Sequence, residues 1–324
     1  RFEAEGFTEK DLEKVKAGQE TYFYNRISSV DGKSKQLAEY NMYAGDPGYY
    51  KQDMEALKAV TIDDVKRVYE KYIKGKNYVA TSFVPKGKVD LAVEGSIDAG
   101  IVEENILTAT EVKVEAGVVE EIKKTPTSFD RSVQPPLGPD VSVTVPTIWK
   151  SSLENGMKLY GIRHTEVPLV QYEIVIEGGH MLDDINAPGV ASMMAAMLNE
   201  GTRNKTPEEL EEEIDLLGAS IWIGGGSEYI TVSVNTLARN FEKTLAIVEE
   251  MLLQPRWDSA AFELARTRTL NSLRRSSIDP TYLGSNALRN LIMGENNIYA
   301  TDVSGTPESV QAMTMDQLKA FYEK

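Results

Sequence analysis

Cysteine is absent from the 324 residues, and histidine occurs only twice, at His164 and His180. The first absence removes disulfides, a thiol nucleophile and thiolate metal ligands together, and leaves the compartment open. The second leaves little for a metal. Catalytic zinc takes three protein ligands, often two or more of them His, and these two lie in or beside strand-like runs rather than four apart on a helix. They read as polar residues at strand ends. Positive charge is short as well, with 35 Lys and Arg against 50 Asp and Glu and a net charge of −15. That balance argues against nucleic acid, which needs clustered cations. No apolar run reaches the roughly 20 residues of a membrane span. There is no initiating Met, and no signal-like apolar core follows Arg1.

What is present is a hydrophobic content of 41%, enough for a real core, and a length that suits roughly two domains. An internal repeat organises it. "AVTIDDVKRVYEK" (59–71) and "AMTMDQLKAFYEK" (312–324) share Ala, Thr, Asp, Lys, Tyr, Glu and Lys at matching places. In each a Thr opens a helix, Thr61 before Asp64 and Thr314 before Gln317, the second at capping-box spacing. Upstream, "FTEKDLEKVK" from Phe7 parallels "WDSAAFELAR" from Trp257: an aromatic, a cap, then a long helix. The first copy continues into the strand-like "NYVATSFVP" (77–85), whereas the second stops at Lys324. The chain therefore reads as an internal piece of a longer protein.

Between the copies the texture changes. From about Pro85 to Pro146 prolines recur without a helical period, which predicts a linker, with a β-hairpin in "EVKVEAGVVEEIKKTP" as an option. "KLYGIRH" and "VQYEIVIEGG" alternate like paired strands. "TPEELEEEIDLLG" is a helix capped by Thr206, with Pro207 in its first turn, Glu209 completing the box and Gly218 at its end. "ASIWI" and "EYITVSV" form a hairpin around Gly224, Gly225 and Gly226; "NFEKTLAIVEEMLLQP" is an amphipathic helix stopped by Pro255. The pattern is α+β, antiparallel sheets with helices packed on one face.

One helix poses a question. In "GVASMMAAMLNEGT" (189–202), Val190, Met193, Met194, Met197 and Leu198 share a buried face, while Ser192, Ala195, Ala196 and Asn199 share the opposite one. That second face is built from nearly the smallest side chains available. This segment, with "LGASIWIGGGSEYITVSV", "LLQPRWD" and "GTPESVQAMTMDQLKAFYEK", resembles the pitrilysin/insulinase family of zinc metallopeptidases, which includes the mitochondrial processing peptidases. "SFDRSVQPP" is similar to the segment that joins the two halves of long bacterial members. The resemblance implies three parts: residues 1–90 as the C-terminal part of the first peptidase half, 91–146 as linker or hairpin, and 147–324 as the N-terminal subdomain of a second half, in repeated processing-peptidase-like subdomains.

Active members carry His-x-x-Glu-His on the helix before the Gly-Thr turn. Laid on this chain, the first His falls at Ser192, the Glu at Ala195 and the second His at Ala196, so every chemical group of the motif is gone. A third ligand, a Glu on a later helix, falls at Glu263; without the histidines its carboxylate reads as a solvated helix residue, at most a vestigial ligand. No catalytic, cofactor-binding or metal residue is assigned, and zinc is expected in the parent protein rather than here. The glycines 224–226 lead into a strand with no Gly-Lys-Ser/Thr after them, so a hairpin turn is favoured over a phosphate loop. The acidic run Glu208, Glu209, Glu211, Glu212 and Glu213 reads as a solvated helix face rather than a basic-peptide site.

What the resemblance implies is a non-catalytic, chamber-forming, peptide-contacting portion of a bacterial zinc metalloendopeptidase, partnered by the catalytic half of the same chain or by a paired subunit. The periplasm is favoured over the cytoplasm, and peptide is the expected substrate. The alternative is a scaffold or assembly subunit of an inactive processing-peptidase-like protein.

Overall fold

The computed structural model describes residues 3, 6–97, 100, 130, 132–134, 136, 138, 144–294 and 296–324. In chain order the helices and strands are α1 (Glu9–Ile27), α2 (Val30–Ala44), α3 (Tyr50–Ala59), α4 (Ile62–Tyr72), β1 (Ile148–Ser152), β2 (Lys158–Ile162), β3 (Leu169–Glu177) and α5 (Val190–Met197). There follow α6 (Pro207–Leu216), β4 (Ser220–Gly225), β5 (Tyr229–Leu237), α7 (Phe241–Leu253), α8 (Ser259–Ser276), α9 (Pro280–Met293), α10 (Pro307–Ala312) and α11 (Met315–Glu323). The mix is α+β. The chain divides into two compact units: Arg1–Lys71 with His164–Lys324, and Tyr72–Arg163.

The larger unit is built on an antiparallel sheet in the order β3-β5-β4. Alternation places Ile230, Val232 and Val234 of β5 on one face with Ile223 of β4, all buried. Met193, Met194 and Met197 of α5, Ile247, Val248 and Met251 of α7, Phe262 of α8 and Leu318 of α11 complete that core. Methionine suits the layer because its unbranched chain fills the gaps between helices and sheet. On the other face Asn25, in the last turns of α1, accepts hydrogen bonds from Gln171 and Asn235 through its Oδ1 at 3.3 and 3.1 Å.

The predicted caps are all present. Thr206 and Glu209 form a reciprocal box at the start of α6, and Thr314 and Gln317 do so at α11. Thr61 and Asp64 close the same loop of bonds at α4, so the shorter carboxylate serves where Glu or Gln is usual. The two long helices of the repeat correspond: α1 is capped by Thr8 and α8 by Asp258. Their closing helices differ in burial. Leu318 of α11 is fully buried, while α4 buries no residue.

The acidic run on α6 is more than a solvated face. Glu212 pairs with Lys10 at 2.6 Å, and Asp215 beyond it pairs with Lys14 at 2.7 Å, so α6 docks along the basic side of α1. Gly218 makes the approach possible. It sits at φ +59°, and a Cβ there would lie 2.7 Å from both the Ala17 carbonyl and Thr21 Oγ1; the Thr21 hydroxyl donates to the Gly218 carbonyl at 2.7 Å. Glu20 of α1, also buried, accepts both Nη groups of Arg239 at 3.0 and 2.6 Å. That fork holds its carboxyl below the usual range against the opposing effect of burial.

Three expectations are corrected. β2 and β3 do not pair with each other: β2 pairs with β1 through a tight turn, and β3 pairs with β5 over nine residues, so each alternating run has a separate partner. Residues 77–85 form no strand, because no other strand among the described residues takes their backbone bonds, and Tyr78, Val79 and Phe83 stand exposed. The glycine run is not itself the turn. Gly224 and Gly225 are within β4, and only Gly226 belongs to the connection, its N–H donating to the Tyr229 carbonyl at 2.7 Å. The hairpin option at 111–126 lies outside the described residues. In the smaller unit, Trp149 of β1 lays its ring over Gly161, its cross-strand partner, where a Cβ would fall 2.1 Å from the indole.

Candidate functional site: the motif-position helix

Helix α5 begins without a side-chain cap of its own. Its N-cap is Gly189 at φ +98°, where a Cβ would come within 2.7 Å of the Ser304 carbonyl. The missing cap is supplied by Asp183 from the loop after β3, which accepts from the Gly189 N–H at 2.8 Å and the Ala191 N–H at 2.9 Å. A carboxylate there also favours the positive end of the helix. The Oδ2 of Asp183 lies 2.9 Å from His180 Nδ1 as well. On the other side of the ring, Nε2 faces the Ile298 carbonyl and Thr301 Oγ1, both at 2.9 Å. Sequence reasoning placed His180 among polar residues at strand ends; it is 1% exposed and ties the start of α5 to the segment 298–301. The only local signal was the Asp three residues after it.

The three motif positions have different fates. Ser192 is half-buried, and its Cα stands where a Cβ on Gly225 would be 2.9 Å away, so α5 rests directly on β4. Ala195 has no exposure and belongs to the core. Ala196 is exposed. The small face thus lets α5 approach the sheet closely at 192, seals 195 into the core and leaves open surface at 196.

Asn199, just beyond the helix, spans the gap to the strand. Its Oδ1 accepts from the Ile223 N–H at 3.0 Å, and its Nδ2 donates to the Ile223 carbonyl at 2.8 Å. The same Nδ2 reaches the Ala195 carbonyl at 3.1 Å, one of the helix-end acceptors with no intrahelical partner. Beside it lies a cleft of about 740 Å³, whose lining includes Asn199, Leu210, Ile221, Arg256, Leu264 and Arg268. The Gly-Thr turn that follows is fixed to α7: Thr202 Oγ1 donates to Glu250 at 2.7 Å, and Lys205 pairs with the same carboxylate. Burial raises the Glu250 pKa, but the bonds from Lys205, Thr202 and Asn204 outweigh it and hold the group below the usual range.

The residues at this site do not fit zinc. Ser192, Ala195 and Ala196 offer no imidazole or carboxylate, and Glu263 is an exposed residue of α8 whose carboxylate bonds Arg266 at 2.7 Å. His164, at the surface, lies 3.9 Å from Glu166, which is itself bonded to Lys33. Among the described residues no group of three or more His, Cys, Asp or Glu could hold a metal ion, and no helix is long and apolar enough to cross a membrane. At the motif positions themselves, Ser192, Ala195 and Ala196 supply no imidazole or carboxylate that could take a proton from water.

A family model described as Insulinase (Peptidase family M16) matches residues 162–296. Over 158 residues the chain is 25% identical to the protein named Non-peptidase homolog YmxG of Helicobacter pylori (strain ATCC 700392 / 26695), covering 49% of this chain and 36% of that protein. It is 20% identical over 174 residues to an Uncharacterized zinc protease of Rickettsia bellii (strain RML369-C), covering 54% and 42%. A crystal structure of a peptidase M16 inactive domain from Pseudomonas fluorescens superposes with a TM-score of 0.52 at 26% identity, over 54% of this chain and 43% of that one. The chain spans less than half the length of these curated relatives. Over residues 162–296 it carries a domain of the insulinase family, peptidase family M16.

Proposed function

We propose that this chain is the non-catalytic, chamber-forming and peptide-contacting portion of a bacterial zinc metalloendopeptidase. Zinc and the His-x-x-Glu-His motif are then carried by another half of the parent chain or by a paired subunit. The observation that carries the reading is α5: an M16 domain whose motif helix has Ser192, Ala195 and Ala196 in place, with Ala195 sealed in the core. The likeness to an M16 inactive domain and to a protein named a non-peptidase homolog supports it. The name zinc protease on another relative supports zinc elsewhere in the parent. A wall of this kind needs backbone rather than special side chains to meet an extended peptide, and among the described residues β3 lies at one edge of the sheet. The periplasm, expected from the family resemblance, is part of the same proposal.

The alternative, a scaffold or assembly subunit of an inactive processing-peptidase-like protein, is supported by the same name, non-peptidase homolog. Peptide cleavage by the full-length parent protein separates the two. The first reading predicts cleavage that is abolished by removing zinc and by deleting residues 164–324. A parent that binds no zinc and cuts no peptide would establish the scaffold instead.

A further inference from the structure

An edge strand exposes backbone N–H and C=O groups in alternation, and those of β4 that point away from β5 include Ile223. In an antiparallel ladder, an added residue opposite Ile223 would accept its N–H and donate to its carbonyl. Asn199 makes both bonds with a single side-chain amide, Oδ1 accepting at 3.0 Å and Nδ2 donating at 2.8 Å. The amide is itself a peptide group in chemistry and geometry. Its remaining N–H is engaged by the Ala195 and Ala196 carbonyls at 3.1 and 3.3 Å, so its orientation is set by the helix end and does not depend on the strand alone. Ser and Thr have one hydroxyl and could not donate to the helix and the strand while accepting from the strand; Asp has no donor at all.

We propose that Asn199 is a built-in strand surrogate that closes the β4 edge to extended polypeptide. The closure falls at Ile223, the fourth of the six residues of β4, so a peptide adding as a strand must displace the amide or stop short of it. Native sheets commonly guard their edges with charges, bulges or covering elements. Here the guard is one neutral side chain, fixed to the helix that has lost the motif. The inference rests on the reading of this chain as a peptide-facing wall: it states that this wall turns a substrate strand away at β4, leaving the peptide to the catalytic half.

The test compares the wild-type chain with Asn199→Ala by two readouts. Hydrogen exchange over residues 219–226 reports the Ile223 amide, and fluorescence anisotropy reports binding of a fluorescein-labelled ten-residue peptide of alternating Thr and Val with a Lys at each end. The substitution should speed exchange in that segment by about ten-fold or more, tighten peptide binding by about ten-fold, and let bound peptide restore the protection. If Asn199→Ala lowers the melting temperature into the assay range, Asn199→Ser, which keeps a hydroxyl for the helix end, carries the same readouts. Unchanged exchange overturns the surrogate and leaves the peptide-facing reading standing. Faster exchange without tighter binding overturns the closure of this edge against peptide and counts against the peptide-facing reading too.

Discussion

His180 and Asp183 hold each other at 2.9 Å with side chains 1% and 0% exposed. Both ring nitrogens of His180 point at acceptors, the carboxylate on one side and the Ile298 carbonyl on the other, so the ring fits best as an imidazolium. Burial is the largest single influence and pushes its pKa down. The bonds to Asp183 and Ile298 and the negative charges of Asp183 and Asp302 outweigh it and hold the group above its ordinary 6.5. A raised folded-state pKa contributes stability that is fully present below about 6.5 and is lost as pH rises through the folded value.

The first prediction follows from that sign. His180→Gln should cost roughly 3–5 kcal/mol at pH 6, the scale for breaking a buried pair by removing one partner. The gap between wild type and variant should narrow as pH is raised above the folded pKa. Urea melts of both proteins from pH 5.5 to 9 measure it; a gap that widens with pH would show that His180 is buried neutral.

A second prediction separates the motif positions. Ala195→Glu places a carboxylate at a fully buried position in the methionine-rich core, and should lower stability by several kcal/mol. Ala196→His sits on open surface and should change it by less than about 0.5 kcal/mol. The triple variant with Ser192→His, Ala195→Glu and Ala196→His should follow the Ala195→Glu loss and show no peptidase activity. Thermal melts with and without zinc, beside a peptide-cleavage assay, measure all three; a triple variant stabilised by zinc would show that the site can still open.

Two neighbouring glycines should respond differently. A Cβ on Gly225 meets the backbone of α5, at 2.9 Å from Ser192 Cα and 3.0 Å from the Ala191 carbonyl. One on Gly224 meets the Trp222 ring first, which is 60% exposed and can swing aside. Gly225→Ala should therefore cost about 1–3 kcal/mol and Gly224→Ala clearly less. Equal losses in denaturant melts would mean that α5 is not seated on β4 as described.

Proteolysis probes how the first helices are held. Tyr78 and Phe83 are exposed in a stretch without helix or strand, so chymotrypsin should cut after one of them early. The N-terminal fragment should then remain bound to the rest through α1 on α6, where Leu12 is buried and Thr21 and Glu20 are bonded to Gly218 and Arg239. Size-exclusion chromatography of the nicked protein should give one peak at native mass. Separation of the fragments without denaturant would contradict the packing of α1.

Much of this was legible in the sequence because the signals were local. The Thr206–Glu209 and Thr314–Gln317 boxes, the stop at Pro255 and the hairpin of β4 and β5 all depend on residues a few positions apart. The alternation of β2 and β3 showed that they were strands but not whose strands they were, because pairing is a long-range choice. The small face of α5 was visible as a pattern, yet its split into half-buried Ser192, sealed Ala195 and exposed Ala196 depends on where β4 lies. Asn199 stood on that face from the start. Its role could not be read, because Ile223 is 24 residues away and is reached only once the strand is folded. His180 was hidden in the same way, since one of its partners lies 118 residues downstream.

The central claim is that this M16 domain lacks the chemistry of its motif helix, and the most direct test is metal content. The protein, loaded with excess zinc and dialysed against metal-free buffer, should retain far less than one zinc per chain by elemental analysis, with no change in melting temperature on adding a chelator. One zinc per chain that survives chelation would contradict the account.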